Sequence, residues 1–184
     1  MEMRNSYIIN QDTVLIKSEF DSNGYHCSQV IQGKDTFLVR QKPSEILDYS
    51  MMHYGTSDLQ GGIRTARYLL GNISMCPISV CSQLDFYWFP LYSPKNEKCI
   101  WLSRSHVLKP EKLSPFKTRV HLKFGHSFEV DIKISRFKEK YGRATDLKLT
   151  IQERTKKVVT YFYEPHSGFQ LVSESAITYK TPEL

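Results

Sequence analysis

The sequence predicts a strand-rich α+β fold, made mostly of antiparallel hairpins with two or three short helices. Three observations point there. Short apolar runs alternate with polar residues and are separated by Asn, Asp, Gly and Pro, the period and punctuation of half-buried strands. Residues 44–70 instead carry helical spacing, stopped at Gly55 and Gly71, and glycine just past the last turn is a common helix stop. The aromatic block Phe86-Tyr87-Trp88-Phe89-Pro90 and both tryptophans, Trp88 and Trp101, fall within residues 54–107. Rigid aromatic area at that density marks a core.

In chain order, Tyr7-Ile8-Ile9 and Val14-Leu15-Ile16 flank Asn10-Gln11-Asp12 and read as a first hairpin. Asp21 to Gly24 is a loop. Ser28 to Ile31 and Thr36 to Arg40 bracket Gly33-Lys34-Asp35 as a second hairpin. Pro43 suits a first helical turn, and Glu45 and Asp48 suit the dipole there, so a helix is expected from about Ser44 to Tyr54. Gly61-Gly62 costs about 1 kcal/mol per glycine inside a helix. A loop or single turn is therefore expected before a helix from Ile63 to Leu70, with Ile63, Ala66, Tyr68, Leu69 and Leu70 available for burial. Gly-Gly beside Arg64 and Arg67 fits either close approach to a phosphate or a joint between helices. It is no P-loop, because no Gly-Lys-Ser/Thr follows.

Strands are then expected over Ile78 to Cys81, Phe86 to Phe89 and Cys99 to Ser103, and Leu108 to Phe116, with two prolines, reads as a connector. Thr118 to Phe124 and Ser127 to Ile134 alternate around Gly125-His126. That hairpin would turn Val120, Leu122, Phe124, Phe128, Val130, Ile132 and Ile134 inward and Arg119, Lys123, Glu129, Asp131 and Lys133 outward. Ser135 to Arg143 is a short amphipathic helix, with Phe137 and Tyr141 on one face and Arg136, Lys140 and Arg143 on another. Leu147, Leu149 and Ile151 alternate with polar residues and predict a strand that pairs with Val158 to Tyr163 across a charged tip containing Lys156 and Lys157. The tail holds one further strand, Phe169 to Val172, and frays at Pro182.

The 184 residues suit one domain, taken as residues 1–165 with a tail at 166–184. With 40% hydrophobic and 24% charged residues the composition is that of a soluble protein. No window reaches the roughly 18 apolar residues of a membrane span, and the N-terminus lacks a basic start and apolar core of a secretory signal. The expected location is therefore the cytoplasm, and no membrane partner is expected. Cys27, Cys76, Cys81 and Cys99 are expected to be structural thiols, because the Cys-x4-Cys pair has no second pair to complete a metal site.

Charge is informative by position. Residues 1–94 hold 7 Lys/Arg and 9 Asp/Glu, a net of −2; residues 95–184 hold 18 and 10, a net of +8. A one-sided basic excess is the electrostatic footprint of a nucleic-acid binder, though a solvated lysine-rich surface gives the same count. Catalysis is not expected. Ser103-Arg104-Ser105-His106 lacks a placed acid or nucleophile elbow, and no paired carboxylates sit in an apolar frame. No cofactor is expected. The aromatic run could stack RNA bases, but next to Pro90 it reads as core.

Several phrases in order resemble the ComK family, the competence transcription factors of Gram-positive bacteria. They are Tyr54-Gly55-Thr56-Ser57 with Gly62-Ile63-Arg64, Ile73-Ser74 with Pro77-Ile78, Tyr87-Trp88-Phe89-Pro90-Leu91-Tyr92-Ser93, Ile100-Trp101-Leu102-Ser103 with His106-Val107, and the hairpin that ends Ile134-Ser135. With the opening Ser6-Tyr7 they span about residues 6–145. The resemblance implies a divergent member that activates DNA-uptake genes by binding paired A/T-rich promoter boxes through the minor groove, acting at the nucleoid. It implies duplex DNA and further copies of the chain as partners, as a dimer or pair of dimers, and leaves room for a contact with RNA polymerase. No Phe-Met-Leu-Tyr-Pro-like segment is present, so control by a protease adaptor stays open. The candidate DNA-binding residues are Arg64, Arg67, Arg136, Lys138, Lys140, Arg143, Lys156 and Lys157. The alternative is a module that has lost DNA binding and modulates a related activator by hetero-oligomerisation.

Overall fold

A computed structural model describes residues 2–94, 96–155, 160–164 and 168–172, which fall in two compact units, Met1–Thr150 and Ile151–Leu184. The first unit is built on a seven-stranded sheet. Its strands in chain order are β1 (Met3–Arg4), β2 (Thr13–Phe20), β3 (His26–Gln32), β4 (Asp35–Val39), β5 (Ile78–Cys81), β6 (Phe86–Pro90) and β7 (Ile100–Ser103). Across the sheet the order is β1-β4-β3-β2-β7-β6-β5, and every pairing is antiparallel except β1 with β4. Helices α1 (Pro43–His53) and α2 (Leu59–Leu70) are inserted between β4 and β5. A second sheet, ordered β10-β9-β8, comprises β8 (Val107–Lys112), β9 (Thr118–Leu122) and β10 (Ser127–Val130), and α3 (Ile134–Thr155) follows it. The strand-rich α+β class expected from the sequence is the one observed.

Successive residues of a strand point to opposite faces, and the large sheet uses both. Ile16, Trp88 and Trp101 enter one core with Ile46, Leu47 and Met51 of α1 and Leu59 of α2. Leu15, Phe89 and Leu102 enter a second core with Val120 and Leu122 of β9, Val130 of β10 and Phe137 and Ala144 of α3. All five residues of β6 are buried. A sheet covered on both faces gives a continuous apolar run, which is why the aromatic block shows no polar alternation and offers no ring for base stacking. All four cysteines are buried free thiols, and burial pushes the Cys99 thiol up to about 12.

Five expectations are corrected. The first hairpin does not form, although its turn does, with the Thr13 amide donating to the Asn10 carbonyl at 3.1 Å. The arm before the turn bonds to side chains instead. Tyr7 N–H donates to Gln41 Oε1 (2.9 Å), Ile9 N–H donates to Ser50 Oγ (3.0 Å), and the Ile9 carbonyl accepts from Tyr54 Oη (2.7 Å). Second, α2 begins at Leu59, so both Gly61 and Gly62 lie inside it, and Tyr68 is 79% exposed. Third, residues 107–112 form β8, an edge strand, where Pro110 is tolerated because only one side of the strand is paired.

Fourth, the β9–β10 pairing ends at His121 and Ser127. Phe124 adopts φ 59°, a left-handed conformation rare for a bulky residue, and is exposed, while Ile134 opens α3. Fifth, α3 continues to Thr155, so Leu147, Leu149 and Ile151 are helical and Leu149 is exposed. Phe137, Lys140, Ala144 and Leu147 bury at spacings of three and four, the helical stripe that wins over the strand-like alternation. In the second unit, β11 (Thr160–Glu164) pairs antiparallel with β12 (Gly168–Val172), so the expected strand at 169–172 is present but is the partner of 160–164. The expected charged tip at Lys156 and Lys157 and the fray at Pro182 lie outside the described residues.

Candidate nucleic-acid interface

Helix α2 owes its start to residues that local propensity does not see. Asp58 is its N-cap and accepts from the Gly61 amide, and Asp48 of α1 accepts from the Leu59 amide at 2.7 Å. These two carboxylates take the Leu59 and Gly61 amides and set negative charge at that helix end, which disfavours a phosphate there. Gly62 decides the packing. A Cβ there would lie 2.6 Å from Met51 Cε and 3.8 Å from Ile78 Cγ2, so glycine lets α2 settle against α1 and β5. Gly61-Gly62 is not a joint between helices, since both lie inside α2; Gly62 is instead where α2 packs on α1.

With Leu59, Gly62 and Ala66 facing in, Gln60, Arg64, Thr65, Arg67 and Tyr68 face out. The helix has no acidic residue, and among the described residues neither arginine has an ion-pair partner. Arg64 and Arg67, three residues apart, are neighbours on one face.

The α3 candidates are not brought together in this way. Lys140 belongs to the buried stripe and is 9% exposed, with Nζ 3.4 Å from the Pro90 carbonyl and 3.3 Å from Met75 Sδ. Burial lowers its pKa. Arg143 donates to Glu139 at 2.6 Å. Arg136 and Lys138 are exposed, but two positions apart on a helix they point to opposite sides. Moreover α2 and the 134–150 part of α3 pack on opposite faces of the large sheet.

The sequence reading missed cations on and beside β8. Lys109 and Lys112 are exposed there, and Arg104 donates Nε to Thr145 Oγ1 at 2.9 Å with its guanidinium 5.6 Å from the Tyr141 ring. Treating 108–116 as a connector hid this cluster. On the outer face of the small sheet Arg119 pairs with Glu129 (2.8 Å) and Lys117 with Asp131 (3.8 Å), and His121 Nε2 lies 2.9 Å from Glu111 Oε2. His106 is buried, its Nδ1 2.8 Å from Ser103 Oγ and 3.3 Å from Ser105 Oγ, and burial lowers its pKa. Among the described residues no group of three or more His, Cys, Asp or Glu is arranged to hold a metal, and no helix is long and apolar enough to cross a membrane.

The chain belongs to the ComK family: the model of that family, described as ComK protein, matches residues 4–156. It is 30% identical over 151 residues to the competence transcription factor of Bacillus subtilis (strain 168), covering 81% of this chain and 77% of that relative. No solved structure matches it.

Proposed function

We propose that this chain is a competence transcription regulator that binds A/T-rich duplex DNA from the minor groove, as a dimer or pair of dimers, and so activates DNA-uptake genes from the cytoplasm at the nucleoid. Its family and the name of its relative support the regulatory role. The observation that supports DNA contact is α2, an outward helix with Arg64 and Arg67 side by side, no acidic residue and no ion pair among the described residues. A narrow A/T-rich groove concentrates negative potential and attracts inserted arginine. Arginine suits this role because its guanidinium is weakly hydrated and always charged.

Fluorescence anisotropy of the purified protein on duplexes with two A/T-rich boxes, repeated at rising salt, tests the reading. Binding should weaken steeply with salt and be displaced by a minor-groove ligand. No complex at low salt would instead favour the second reading, a module that modulates a related activator. The observation favouring that reading is on α3, where Lys140 is buried and Arg143 is tied to Glu139.

A further inference from the structure

Between β8 and α3 lies an open groove of about 240 Å³, lined by Val107, Leu108, Pro110, Phe137, Lys138 and Tyr141. Of these Phe137 is fully buried, Tyr141 half-buried and Leu108 61% exposed. Concave apolar lining with one charged group is the usual make-up of a recognition pocket. Among the described residues that line it, the one charged side chain is a cation. Lys138 lines it, Arg104 sits beside the Tyr141 ring, and Lys112 shares the Pro110 side of β8, whereas Lys109, opposite His121, points to the other face. Among the described residues no carboxylate lines the groove, and the neighbouring Glu111 and Glu139 are bonded to His121 and Arg143. Pro110 has no N–H to offer an added strand, so an occupant would be held by its side chains.

We propose that this groove is a docking site for an acidic segment of a partner protein, which seats one bulky apolar side chain between Leu108 and Tyr141, over the buried Phe137, and sets its carboxylates beside Lys138, Arg104 and Lys112. An anchor residue in a pocket with a charged rim is the common anatomy of such contacts. A DNA backbone fits less well, because five of the six lining residues are uncharged and a single lysine is no row of cations. The inference stands apart from the α2 reading, and either can fail alone.

The test is selection of a random displayed-peptide library on the wild-type protein, with counter-selection on Leu108→Glu. Enriched peptides are expected to carry one Phe, Trp or Leu flanked by Asp and Glu. Their synthetic versions should bind about tenfold more weakly to Leu108→Glu and to Lys138→Glu. Both positions are exposed, so thermal unfolding should match wild type, and either variant alone can carry the comparison. Failure to enrich, enrichment of basic peptides, or equal binding by the variants overturns the proposal. So does an oligomer that dissociates in light scattering on Leu108→Glu, which makes the groove a contact between copies. Loss of A/T-rich duplex affinity in that variant as large as in Arg64→Ala makes it part of the DNA surface and overturns it too.

Discussion

The Met51 side chain of α1 lies so close to Gly62 of α2 that a Cβ built at position 62 would come within 2.6 Å of its Cε. Met51 is 1% exposed, so its methyl has little room to move aside. Alanine at 62 would regain about 1 kcal/mol of helix propensity against this contact, but a branched side chain cannot. Gly62→Val should destabilise by about 2 kcal/mol. In a double-mutant cycle with Met51→Ala, measured by urea unfolding, the double variant should be less destabilised than the sum of the singles. Additive losses would mean the two residues do not constrain each other.

Arg64→Ala and Arg67→Ala should each weaken binding to A/T-rich duplex, and each should reduce the slope of log affinity against log salt by about one. Arg136→Ala on α3 should leave the slope near wild type, because its helix packs on the other face of the sheet. Equal effects from all three would move the contact surface away from α2.

Lys140→Met should raise stability by about 1 kcal/mol, because a buried ammonium with no carboxylate partner among the described residues is exchanged for an apolar side chain of similar length. Duplex affinity should not change. A drop in affinity with unchanged stability would place the ammonium at the DNA after all.

The buried His106 makes stability depend on pH. Its folded pKa lies below the ordinary value of 6.5 because burial disfavours the imidazolium, with the nearby Lys123 charge acting in the same direction. The unfolded chain therefore binds the proton first. This contribution is fully present above about pH 6.5 and is lost as pH falls toward the folded pKa. Thermal unfolding between pH 7.5 and 5 should show wild type losing more stability than His106→Gln. Parallel curves would remove His106 as the cause.

Much of this architecture was legible in the residues. The β3–β4 hairpin was visible through Gly33, which adopts φ 56°, and α1 through Pro43 and its early acids. What escaped depended on partners distant in sequence. The first hairpin was cancelled by Gln41, Ser50 and Tyr54, and the start of α2 was secured by Asp48. On α3 a lysine interrupts the buried stripe, so residues 147–151 fit strand and helix equally well. The same lysine was misplaced on the charged face, since lysine is rarely buried without a pair. Arg64 and Arg67 were placeable because their helix has one simple apolar face, whereas the groove beside β8 needed two elements that only the folded chain brings together.

The central sheet has in effect a reading frame. Trp88 and Phe89 serve different cores only because they are adjacent, and Trp101 and Leu102 do the same one strand away. One residue inserted in β6 would send each ring to the wrong side, a frameshift in space rather than in code. Substitutions of similar volume can accumulate on either face of these strands, but changes of length belong in the turns, such as residues 21–25 and 113–117.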